Sequence, residues 1–300
     1  MPLAPIALFT FRRPEHTRRT LAALANNPEF LHSPLHIFCD GARRPADDAA
    51  VEETRQVVRA WPHPENTVHE SPANRGLAAS IIAGVTALCA QYGRVIVVED
   101  DLVVAPLFLD FLNRGLETYA DKSQVMQISG HMFDVELPAE GGDSLFLPFT
   151  TSWGWGTWRR AWALFDQDMK SFGRIAGDQA LRRQFDLYNA YPYVEMLKKQ
   201  RAGEIDSWAI RWYLSVFSQN GLVLYPRLSL VDNQGLDGSG THGASSGNAK
   251  TFNLPDTALR IDTIGLAVDR HAFEAIGKSM RAARGMPRLA FDWLRRNITR

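Results

Sequence analysis

The sequence predicts an α/β fold, a mostly parallel central sheet flanked by helices. Three observations lead there. Short apolar runs alternate with helical stretches through the first hundred residues. The run Arg94–Val98 is almost continuously β-branched, as a strand buried on both faces requires. That run stops abruptly in Glu99, Asp100 and Asp101, and sheets of this kind carry their sites at strand carboxyl ends.

The elements follow in order. Ile6–Thr10 is a first strand, stopped by Arg12, Arg13 and Pro14, and His16–Asn26 a first helix. Leu35–Cys39 is a second strand, closed by the turn pair Asp40-Gly41. Asp47–Trp61 reads as helix, Thr67–His69 as strand, and the Ala- and Ile-rich Gly76–Tyr92 as a buried helix. Beyond the strand at Arg94, Phe108–Tyr119 reads as helix and Val125–Ile128 as strand. Asp178–Arg201 is helical with a break near Pro192; Trp208–Asn220 is helical and Leu222–Tyr225 a strand. Residues 232–248, rich in Gly, Ser and Asn, read as a long lid loop.

No linker or repeat divides the chain, so the expected organisation is one domain over 1–277 with a tail over 278–300. Its two halves are residues 1–105 and 106–277. The chain has 300 residues, 33 Lys plus Arg against 33 Asp plus Glu, and therefore no net charge. That balance, with basic residues dispersed rather than striped with aromatics, argues against a nucleic-acid partner. Two cysteines, Cys39 and Cys89, exclude a Cys-based zinc cluster and a disulfide framework, and suit a reducing compartment. The N-terminus predicts neither a signal peptide nor a membrane span. In the tail, seven basic residues and one acidic interleave with Met286, Leu289, Phe291, Trp293, Leu294 and Ile298. This suits either a membrane-surface contact or a helix packed on its own domain.

Three consecutive carboxylates at the end of a buried strand are costly unless solvent or a cation compensates them. Their hard oxygens suit magnesium or manganese, with a diphosphate completing the ligand shell. Asp206 precedes Ser207-Trp208 at a helix start. It reads as a general base, as an N-cap, or as a neighbour of the true base Glu204. Thr151–Trp158 places three tryptophans in six residues, either a sugar platform or an aromatic core cluster. His131, after Gly130, reads as acceptor contact or as structural histidine.

In order along residues 5–245, four segments resemble the nucleotide-sugar glycosyltransferases of the Rossmann-like GT-A fold. The chain is most similar to the N-acetylglucosaminyltransferase I group and to bacterial family 2-like sugar transferases. Arg12-Arg13-Pro14 is similar to that group's "NRP", Phe38–Gly41 to its "QDG", Val97–Leu102 to its "VEDDL", and Thr241-His242-Gly243 to its "SHG". The resemblance implies an inverting, metal-dependent hexosyl- or N-acetylhexosaminyl-transferase using a UDP-sugar and Mn2+ or Mg2+. Asp101 would hold the ion, and Glu99 and Asp100 the ribose side of the donor. Asp40 would accept from the uracil imide, and Arg12 would lie against base or diphosphate. Asn74 and Arg75 would line the nucleotide pocket, Trp153 and Trp155 the sugar and acceptor pocket, and Thr241 and His242 would cover the diphosphate. Asp206 would be the base, by similarity to segments in which an acidic residue precedes a Trp. The absence of the N-terminal span of that group's eukaryotic members implies a cytoplasmic enzyme acting on a saccharide or lipid-linked saccharide.

A nucleotidyltransferase would show a glycine-rich loop after the first strand, which Phe9–Pro14 lacks. A retaining transferase usually shows D-x-D, which Glu99-Asp100-Asp101 does not match. A module that binds nucleotide or carbohydrate without turnover remains the non-enzymatic alternative.

Overall fold

A computed structural model describes residues 2–140, 142–235, 259, 261 and 264–284. The strands are β1 (Ile6–Thr10), β2 (Leu35–Cys39), β3 (Asn66–Glu70), β4 (Arg94–Glu99), β5 (Leu102–Val104), β6 (Val125–Ser129), β7 (Ser144–Leu147), β8 (Trp155–Trp158), β9 (Leu222–Pro226) and β10 (Val231–Asn233). The helices are α1 (Pro14–Ala25), α2 (Asp48–Arg59), α3 (Leu77–Tyr92), α4 (Phe108–Thr118), α5 (Arg159–Trp162), α6 (Phe172–Gly177), α7 (Gln179–Phe185), α8 (Tyr193–Arg201), α9 (Trp208–Ser218) and α10 (Arg270–Arg284).

The central sheet runs β3-β2-β1-β4-β8-β6-β9-β7. Strands β1 to β4 are mutually parallel, β8 lies antiparallel between β4 and β6, and β6 and β9 are parallel. The expected α/β fold, a mixed sheet flanked by helices, is therefore present. The chain lays β2 and β3 on one side of β1 and then returns to place β4 on the other. The switch in strand order thus falls between β1 and β4, where open sheets of this kind form a crevice at the carboxyl ends.

Local sequence explains the elements that bound this crevice. Pro14 opens α1 at a position where no N–H is needed, and Glu15 sits in the positive first turn. Helix α3 is bracketed by Gly76 and Gly93, both at positive φ of about 80°, and buries Ala78, Ile81, Val85, Leu88 and Cys89 against the sheet. Ser207 caps α9, its side chain accepting the Ile210 N–H at 3.3 Å. The cap assigned to Asp206 as one alternative thus belongs to its neighbour.

The aromatic segment is where sequence and structure differ most. Trp155–Trp158 is an interior strand. Trp155 is fully buried and stacks on Trp208 with ring centroids 5.1 Å apart, within a cluster that includes Trp162 and Trp212. Trp153 is also buried, 4.7 Å from the His131 ring. Of the two readings of this segment, the aromatic core cluster describes both side chains. Three short strands, β5, β7 and β10, were not expected, and β10 occupies the start of the supposed lid at Asp232 and Asn233. Helix α10 runs through position 278, the expected tail boundary. Residues 236–248 of the lid, including Thr241 and His242, and residues 285–300 lie outside the described residues.

Candidate functional site

A cleft of about 390 Å³ opens at the carboxyl ends of β1, β2 and β4. Thr10, Phe11 and Arg13 line it from the end of β1, and Asp40 and Arg43 from the end of β2. Asn74, Arg75 and Gly76 contribute from the turn before α3, Glu99 and Asp100 from the end of β4, and Asp206 from the segment before α9. Six residues singled out in the sequence, Asp40, Asn74, Arg75, Glu99, Asp100 and Asp206, therefore share one cavity.

Their roles are not all those expected. Asp40 is buried, and its oxygens accept from four donors: Gly41 N–H at 2.9 Å, Arg75 N–H at 2.8 Å, Gly76 N–H at 2.9 Å and Asn74 Nδ2 at 3.1 Å. A carboxylate offers about four acceptor directions. With these taken, Asp40 fixes the 74–76 turn in this structure instead of presenting a free oxygen to a base. Asn74 adds a second tie, donating to the Gly41 carbonyl at 2.9 Å.

Arg12 stands outside the cleft lining. Its backbone has φ +41°, and its guanidinium pairs with buried Asp47 at 2.7 Å. Arg13, the next residue, lines the cleft. Arg13 Nη1 lies 3.0 Å from Asp101 Oδ2 and 3.6 Å from Asp100 Oδ1. Arg13 and Arg43 line the cleft without being among the residues expected there, although two adjacent arginines after β1 are a signal for the first.

The acidic triplet is buried throughout. Asp100 Oδ2 accepts the Phe11 N–H at 2.9 Å, joining the ends of β1 and β4. Asp101 lies behind the cleft lining, and Gly235 packs directly on it: a Cβ at 235 would fall 2.1 Å from Oδ2. Among the described residues no three His, Cys, Asp or Glu side chains stand together as a metal-holding group. Asp100 and Asp101 nevertheless converge on one positive group, the Arg13 guanidinium. In this structure that guanidinium occupies the position between the two carboxylates.

Asp206 is the least buried of these acids, its side chain 65% exposed. Arg211 Nη2 donates to its Oδ1 at 2.8 Å. Glu204 is exposed and absent from the lining. His131 is buried away from the cleft lining, its Nδ1 3.3 Å from Ser229 Oγ, and burial pushes its pKa down to about 3. Both cysteines are buried free thiols, raised by burial to about 11 at Cys39 and about 12 at Cys89.

No family model matches the sequence, and no curated protein matches it. Among solved structures, a mannosyltransferase from Pyrobaculum calidifontis is similar at 11% identity and TM-score 0.39, over 73% of each chain. Mouse xyloside xylosyltransferase 1 is 14% identical over 72% of this chain and 80% of its own, at TM-score 0.33. A mannose-1-phosphate geranyltransferase from Thermus thermophilus is 13% identical over 76% of this chain and 75% of its own, at TM-score 0.34. Likenesses this distant carry no argument about the chemistry of the cleft. Among the described residues no helix is long and apolar enough to cross a membrane.

Proposed function

We propose that the cleft binds a nucleoside-diphosphate sugar, with UDP as the nucleotide, and transfers the sugar with inversion to a hydroxyl of a saccharide or lipid-linked saccharide. One observation carries the reading. Asp206, reaching in from the second half of the chain, lines the same cavity as Arg13, Arg75, Glu99 and Asp100 at the ends of β1 and β4. A carboxylate, two arginines able to bind anions and two strand-end acids thus line one crevice. The resemblance of the strand-end segments to GT-A transferases supports the same reading.

The chemistry follows from the residues. Arg13, Arg43 and Arg75 place three guanidinium groups around the cleft, and guanidinium pairs well with phosphate oxygens. The turn at 74–76, pinned by Asp40, gives the donor a preformed wall. Asp206 accepts the proton of the acceptor hydroxyl as that oxygen bonds to the anomeric carbon. The bond from anomeric carbon to phosphate oxygen breaks on the opposite face, and the nucleoside diphosphate leaves. No covalent sugar–enzyme bond is needed, because one carboxylate and an in-line geometry suffice. Asp100 and Asp101 would hold a Mn2+ or Mg2+ ion, whose charge would offset that of the departing diphosphate.

The test is release of UDP from a panel of UDP-hexoses and UDP-N-acetylhexosamines, with Mn2+ and with simple saccharide acceptors or water. The expected result is turnover of at least one donor that Asp206→Asn lowers by roughly 10²–10⁴-fold. Binding of UDP should be unaffected by that change. A protein that neither binds UDP nor consumes any donor would overturn the proposal.

A further inference from the structure

We infer that Arg211 is the positioning residue for the proton acceptor, holding the Asp206 carboxylate in one orientation at the cleft; this rests on the reading of Asp206 given above. The two members of the pair sit in opposite environments. Asp206 is 65% exposed, whereas the Arg211 side chain is only 10% exposed, on the inner part of α9. Burial lowers the pKa of Arg211 and Asp206 counteracts that effect. A guanidinium so placed needs its counter-charge, since leaving a buried charge without its partner is strongly unfavourable. Ordinary surface pairs, with both members in water, hold neither side chain in place.

Three contacts fix the geometry. Arg211 Nη2 donates to Asp206 Oδ1 at 2.8 Å, and Arg211 Nε donates to the Ser207 carbonyl at 3.1 Å. Gln200 Oε1 accepts the Ser207 N–H at 2.6 Å. One planar fork thus grips both the carboxylate and the Ser207 carbonyl, while the Ser207 N–H, in the peptide unit that joins it to Asp206, is tied to α8. Asp206 Oδ2 takes no hydrogen bond from the described residues. One oxygen is tethered and the other is left for an acceptor hydroxyl. A carboxylate at the mouth of a cleft would otherwise sample several rotamers, and a misplacement of about 1 Å can cost roughly 10²-fold in rate.

The experiment compares Arg211→Met, Arg211→Lys and Asp206→Asn with the wild type, using UDP-glucose and UDP-N-acetylglucosamine as donors and reading UDP release. Arg211→Met keeps the apolar stem and removes the fork. It should leave the donor KM within about twofold and lower kcat by up to roughly 10²-fold. Arg211→Lys should recover part of that loss, because an ammonium reaches Oδ1 but does not span the carboxylate and the Ser207 carbonyl together. Low guanidinium ion added to Arg211→Ala should likewise raise kcat without changing KM. A purely structural role for Arg211 would lower thermal stability and leave the kcat of the folded fraction unchanged; that result overturns the inference. Where Arg211→Met does not fold, Arg211→Lys decides by the same kcat criterion. Full loss in Asp206→Asn beside normal kcat in the folded Arg211 variants removes the positioning role alone. Normal kcat in Asp206→Asn removes the proton-acceptor reading itself.

Discussion

Replacing Gly41 by Ala should damage the cleft through a backbone contact rather than through any change in chemistry. The Gly41 Cβ position lies 2.5 Å from the Ala73 carbonyl carbon, 2.7 Å from its Cα and 2.8 Å from its nitrogen. All three atoms are main chain, so no rotamer change can relieve the overlap. Carbon atoms are comfortable at about 3.5–4.0 Å, so the 73–76 turn must retreat by roughly 1 Å. The Asp40 bonds to Arg75 N–H, Gly76 N–H and Asn74 Nδ2, now 2.8–3.1 Å, would stretch past useful length. Overpacking alone costs about 1–3 kcal/mol, and each hydrogen bond to a charged group contributes about 1.5–3 kcal/mol. Partial relaxation offsets some of this, so a loss of about 2–4 kcal/mol is expected in equilibrium urea unfolding, with weaker UDP binding by the folded protein. Gly173→Ala is the control. Nothing lies within 4 Å of its added Cβ, and it sits in α6, so a gain of up to about 1 kcal/mol is expected. Gly41→Ala with wild-type stability and wild-type UDP affinity would refute the reasoning.

Other expectations follow from individual groups. His131 is held neutral by burial, with its pKa lowered from 6.5 to about 3, so the unfolded chain binds the proton first. Its contribution is present above pH 6.5 and falls away toward about 3; at pH 4 the loss is about 3 kcal/mol, absent in His131→Phe by urea titration at both pH values. Cys39 and Cys89, raised to about 11 and about 12, stay protonated in the fold, and stability should fall as pH rises from about 9 through those values. A thiol reagent at pH 8 should label neither cysteine before unfolding, and rapid labelling of the native protein would contradict their burial. Arg13→Gln removes the guanidinium shared by Asp100 and Asp101 and should destabilise by about 3 kcal/mol in EDTA. Mn2+ alone should raise its melting temperature more than that of the wild type; equal gains would mean that the ion and the guanidinium do not share a position.

Much of the first half was legible because its signals are local. The β-branched run of β4 and the punctuation at Asp40-Gly41 each depend on a few neighbouring residues. Strand β8 was missed because Trp155–Trp158 has no apolar–polar alternation: it is buried on both faces, and Gly156 admits Leu116, whose Cδ1 would lie 3.2 Å from a Cβ there. Its direction depends on β4 and β6, residues far away in sequence. The site divides along the same line. Residue types at strand ends could be read, and they do share a cleft. Which arginine lines it goes with distant partners, Asp47 for Arg12 and Asp100 and Asp101 for Arg13, and what Asp40 holds is decided by a turn more than thirty residues later. The partner of Asp206, by contrast, lies five residues away on α9, where a single helical turn could have suggested it.

The reversed strand at the centre of the sheet also sets a timetable for synthesis. Strands β1 to β4 and helices α1 to α3 are complete once residue 99 has emerged, and every described residue lining the cleft except Asp206 lies within the first hundred positions. The nascent half-sheet then presents β4 as an open edge, because its outer neighbour β8 is not made until residues 155–158. At ordinary elongation rates, about sixty further residues take roughly 3–12 s. For that interval a strand with a β-branched, buried interior has unpaired backbone groups on one side, an invitation to pair with another copy on the same polysome. The aromatic segment, read from sequence as a sugar platform or a core cluster, is on the ribosome the piece that closes this edge.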